Sequence, residues 1–168
     1  MRYTPAALAL SMLVAVTASV SFSAPPRPLD SRAAALLAQG HRELDAGHID
    51  AAIGDYESAL TVQPGSIPVL LDLAEATRRQ GMQGKALHYY REALKTEPHN
   101  VMAISGEGAA LAEKGAIEKA RRNLAQLEGL CGSNCEATRE LSAAIAKGPA
   151  PRVVSAEAVK PAPVVTEN

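Results

Sequence analysis

Sliding this sequence along itself by 34 residues brings like residues into register, and that period constrains the fold more than any other feature of the chain. Gly40, Ala74 and Gly108 coincide, as do Gly47, Gly81 and Gly115, then Ala52, Ala86 and Ala120, then Tyr56, Tyr90 and Leu124. Ala59 and Ala93 follow, with Leu127 in the third copy, and Pro64 and Pro98 close the first two. A unit this short cannot bury an apolar face alone, so consecutive units must stack. The first and third sets are small residues that let two antiparallel helices approach closely, and the Tyr or Leu fills the gap beside them. The second set sits between two helical patterns, where a tight turn favours glycine. The prolines stop each second helix.

The pattern predicts helices over 31–46 and 49–62, 67–80 and 83–96, and 101–114 and 116–130, all amphipathic. Composition agrees: hydrophobic residues make up 47% of the 168-residue chain but aromatics only 3%, so the core must be built from Ala, Leu, Ile and Val on closely packed helices. Three such units are about the fewest that bury a continuous core, and an end cap is then required. The stretch 136–147 fits that role, with Leu141 and Ile145 on one face and Arg139 and Glu140 elsewhere.

These residues resemble the tetratricopeptide repeat. The resemblance covers 31–132 and implies an all-α, right-handed superhelical solenoid of three helix-turn-helix repeats, at 31–64, 67–98 and 101–132, closed by a capping helix within 133–147. The sequence departs from the family pattern in places. A large apolar residue common in the first helix is present as Leu73 in the second repeat, but Gln39 and Glu107 replace it in the first and third, and Gly132 stands where a third proline would fall.

The first residues are a different material. Arg2 gives a basic start, residues 6–20 form an uncharged apolar run, and Ser21 and Ser23 follow, the marks of a secretory signal peptide over 1–23. The run is shorter than the ~20 residues a spanning helix needs, although an uncleaved anchor is the alternative. No cysteine stands near it for lipid attachment. The mature protein is therefore expected to be periplasmic or secreted and not to span the membrane. Proline-rich 24–30 reads as an extended lead-in, and 148–168, with Pro149, Pro151, Pro161 and Pro163 among Ala and Val, as a disordered tail. A formal net charge of −1 argues against nucleic acid as a partner.

No catalytic constellation is visible, so the chain reads as a non-enzyme with no cofactor. His41, His48, His88 and His99 form no zinc-helix spacing, no serine stands on a glycine elbow, and Gly81 and Gly84 are turn glycines rather than a phosphate loop. Cys131 and Cys135 alone could carry chemistry. Export would favour a disulfide across the corner between the third repeat and the cap, contributing on the order of 2 kcal/mol by chain entropy. A redox role would call for closer spacing and a thioredoxin-like fold, and a metal role for a histidine ligand.

In tetratricopeptide-repeat proteins the first helices line a concave groove, and the resemblance implies the same here. Helical spacing then nominates Leu37, His41 and Leu44, Leu71, Glu75 and Arg78, and Met102, Ser105 and Ala109 as partner-binding residues, with Arg78 available to pair a carboxylate. The basic clamp by which cytoplasmic co-chaperones of the family hold a terminal carboxylate is absent, since Leu37, His41, Asp72, Met102 and Gly106 occupy its positions. The expected function is an exported adaptor that binds another exported or envelope protein. The alternatives are a thiol-disulfide or metal-handling protein, and a subunit of an envelope-biogenesis or cytochrome-maturation assembly.

Overall fold

The computed structural model describes residues 28–149, which form seven helices and, among the described residues, no strand. Helix α1 spans Ser31–Asp45, α2 Ile49–Val62, α3 Ile67–Arg79, α4 Gln83–Thr96, α5 Val101–Glu113, α6 Ile117–Cys131 and α7 Glu136–Lys147. The proposed signal peptide, most of the lead-in and most of the tail lie outside the described residues. Among the described residues no helix is long and apolar enough to cross a membrane.

The three turns inside the helix pairs share one geometry. Gly47, Gly81 and Gly115 take φ of +82°, +84° and +82°, a region that penalises any side chain. At each, the glycine N–H and the next N–H reach back to the last helical turn: Gly47 to the carbonyl of Leu44 and His48 to that of Glu43, Gly81 to Arg78 and Met82 to Thr77, Gly115 to Ala112 and Ala116 to Leu111. This double closure satisfies carbonyls that a helix end otherwise leaves open. At helix starts, Asp30 accepts from the backbone N–H of Arg32 and Ala33, and Asn100 from Ala103.

Each first helix packs most extensively against its own second helix, and α2 against α3 and α4 against α5 join the pairs into a solenoid. Ala52, Ala86 and Ala120 are fully buried, as are Ala59, Ala93 and Leu127. The aromatic plug is visible at Gly40, where a Cβ would stand 2.3 Å from Cε1 of the buried Tyr56 ring. The third pair differs from expectation. The side chain nearest Gly108 is that of Leu141 of α7, whose Cδ2 would lie 2.6 Å from an added Cβ.

That contact fixes α7. The Ser105 hydroxyl donates to the Ala137 carbonyl at 3.0 Å, Leu141 fills the Gly108 notch, and Ile145 packs on the cluster holding Leu111 and Ala112. The cap therefore runs parallel to α5, in the place the first helix of a further repeat would take. Its connection to α6 holds Cys131 and Cys135 with sulfurs at disulfide distance, and the Thr138 hydroxyl donates to the Gly132 carbonyl at 2.9 Å inside that corner.

Candidate functional site

A groove of about 1320 Å³ runs along α3, α5 and α7, and the 63–66 connection and Leu29 also line it. Its walls obey the 34-residue register. Asp72, Gly106 and Glu140 are equivalent positions on α3, α5 and α7, and so are Glu75, Ala109 and Ala143; all six line it.

Six of the nine nominated residues meet here: Leu71, Glu75, Arg78, Met102, Ser105 and Ala109. The three from α1 do not. Leu37 and Leu44 are partly buried and pack against the cluster that holds Tyr56 and Leu73. His41 Nε2 pairs with Asp72 Oδ2 at 2.7 Å, and its ring meets the Tyr56 ring edge-on at 5.8 Å.

Arg78 also differs from expectation. Its Nε and Nη2 donate to the two carboxylate oxygens of Glu75, each at 2.9 Å, while Nη1 pairs with Glu113 of α5. Arg79 Nε adds a bond to Glu75 at 2.8 Å, and the Tyr90 hydroxyl donates to Glu75 at 3.1 Å. Three of the five guanidinium N–H donors are thus engaged within the chain. Burial pushes the Glu75 carboxyl up, but hydrogen bonds and charge from Arg78 and Arg79 outweigh it and hold the group below its ordinary value. For Tyr90, burial first and the Glu75 charge second push the phenol far above its ordinary value, so it remains a donor at neutral pH. Glu113 Oε2 has no hydrogen-bond partner among the described residues. Ser105, nominated for contact, is buried and committed to the Ala137 carbonyl.

Sequence reasoning placed Asp72 only as a position of the absent clamp, and it missed Tyr90 as a groove residue and the whole α7 wall of Glu140, Ala143 and Ala144. Extending the repeat register one step past α5 reaches Glu140 and Ala143 directly. The Tyr90 ring enters the groove because Gly106 stands against it; a Cβ there would lie 2.2 Å from Cζ. Met102 is the most exposed large apolar side chain of the described residues, at 58%. Among these residues no three His, Cys, Asp or Glu side chains converge as metal ligands do.

No protein-family model matches the chain, and no curated protein matches it. Solved structures do. The first TPR domain of Spaghetti (RPAP3), bound to the HSP90 peptide SRMEEVD, is 25% identical with a TM-score of 0.61, over 70% of this chain and 97% of that one. The first TPR domain of human RPAP3, solved by NMR, is 24% identical with a TM-score of 0.61, over 69% of this chain and 94% of that one. A double mutant of MamA from RS-1 is 19% identical with a TM-score of 0.63, over 70% of this chain and 66% of that one.

Proposed function

The chain is a tetratricopeptide-repeat solenoid, and from that premise we propose that it is an exported adaptor, not an enzyme, whose groove seats a segment of another exported or envelope protein. The observation that carries this reading is the groove itself. It is open, runs over three parallel helices, and presents Leu71, Ala109 and exposed Met102 beside ordered polar groups, the mixture that extended peptides and helices dock against. A similar fold seats a peptide in the Spaghetti structure. Export is supported by the basic start, apolar run and small residues of 1–23.

The test is affinity capture from envelope extracts with the wild-type chain and with Met102→Asp and Ala143→Trp, two exposed groove positions that can change without disturbing the core. One protein captured by the wild type and lost with both variants supports the adaptor. The same proteins captured by all three chains would count against it. Sequencing the N-terminus after expression in a bacterial host tests export: a chain beginning at Ala24 supports it, and an intact Met1 in the cytoplasm overturns it.

A further inference from the structure

We propose that the groove selects a partner segment carrying lysine or arginine and discriminates against acidic segments; this rests on the groove being the binding site. Four carboxylates line it, from Asp72, Glu75, Glu97 and Glu140, against two guanidinium groups, Arg78 and Arg79. Both guanidinium groups are already paired, Arg78 with Glu75 and Glu113 and Arg79 with Glu75. An incoming carboxylate therefore finds no uncommitted cation on the walls among the described residues. To bind, it would have to compete with Glu75 and Glu113 for Arg78, in a pair only about a quarter exposed, or with Glu75 for the half-exposed Arg79.

An incoming cation meets the opposite situation. Glu140 on α7 makes no ion pair among the described residues, and Asp72, on the facing wall of α3, has only the exposed His41 as its partner. Between them Gly106, Ala109 and Ala143 form a small-residue floor with Met102 beside it. A lysine or arginine stem can lie on that floor while its head reaches a wall carboxylate, the arrangement long cationic side chains favour on apolar surfaces. The whole chain carries a formal charge of only −1, so the acidity belongs to the groove's arrangement and not to a general excess. Charge complementarity of this kind acts chiefly on partner choice and association rate.

The experiment is selection of a random peptide library on the full chain at low ionic strength, followed by anisotropy titration of a recovered peptide. Recovered sequences enriched in Lys and Arg and depleted in Asp and Glu support the proposal. So does an affinity that Glu140→Lys lowers by about fivefold and that falls as salt is raised. Peptides that are neutral or acidic, yet lost with Ala143→Trp, overturn the charge inference and leave the groove standing. If no peptide is recovered, or Ala143→Trp leaves binding unchanged, the groove itself is not the binding site and both readings fail.

Discussion

Gly40 offers a sharp test of how the repeats are packed, because helix propensity and packing make opposite demands on it. It lies inside α1, where exchanging glycine for alanine ordinarily stabilises by about 1 kcal/mol. Here the new Cβ would stand 2.3, 2.6 and 2.9 Å from three ring atoms of Tyr56, which is fully buried. To reach ordinary contact the ring must withdraw by about 1 Å, and it cannot rotate away into solvent. Overpacking of this kind costs about 1–3 kcal/mol, toward the upper end when a rigid ring is the obstacle. Gly40→Ala should therefore destabilise by about 1–2 kcal/mol net, a fall of about 0.5–1 M in the urea midpoint for an ordinary m-value. Gly54→Ala is the matched control: that glycine lies inside α2 with nothing within 4 Å of an added Cβ, so it should stabilise by up to about 1 kcal/mol. Equilibrium urea unfolding followed by far-UV circular dichroism reads both. If Gly40→Ala raises the midpoint as Gly54→Ala does, the close approach of α1 to Tyr56 is refuted.

Leu141→Ala should cost about 2–4 kcal/mol by emptying the Gly108 notch, and proteolysis should then attack α7 before the repeats. Replacing Cys131 and Cys135 together by serine removes the loop constraint and should lower stability by about 2 kcal/mol, with thermal unfolding showing the same loss when the wild type is reduced. Arg78→Met leaves Glu75 and Glu113 facing each other half-buried and should destabilise by about 1–3 kcal/mol, less when Glu75→Gln accompanies it, a coupling a double-mutant cycle measures. Glu75 is held below its ordinary value of 4.5, so its contribution is complete above that pH and is lost as pH falls through the lower folded value; urea midpoints should decline below about pH 4.5, and less steeply in Glu75→Gln.

The helices were legible in the sequence to within a residue at each end, because the period fixes their spacing and glycine is the residue that tolerates the left-handed turn at Gly47, Gly81 and Gly115. The site was legible in part. Spacing places Leu37 and Leu44 on one face of α1 but does not say whether that face meets a groove or a neighbouring helix, and in the fold both pack against the cluster of Tyr56 and Leu73. The commitment of Arg78 to Glu113 joins α3 to α5, a pairing between repeats that helical periodicity within one element cannot show. The α7 wall was hidden because the cysteine corner replaces the proline that closes the earlier repeats, although the register itself continues through Glu140 and Ala143.

The central claim, that the groove is where a partner is held, is tested most directly by photo-crosslinking in living cells. A benzophenone amino acid replaces Met102 in one chain and Arg121, an exposed residue of α6 outside the groove, in another. The account predicts a discrete crosslinked product from position 102 and none from position 121. Equal products from both positions, or a product from 121 alone, would contradict it.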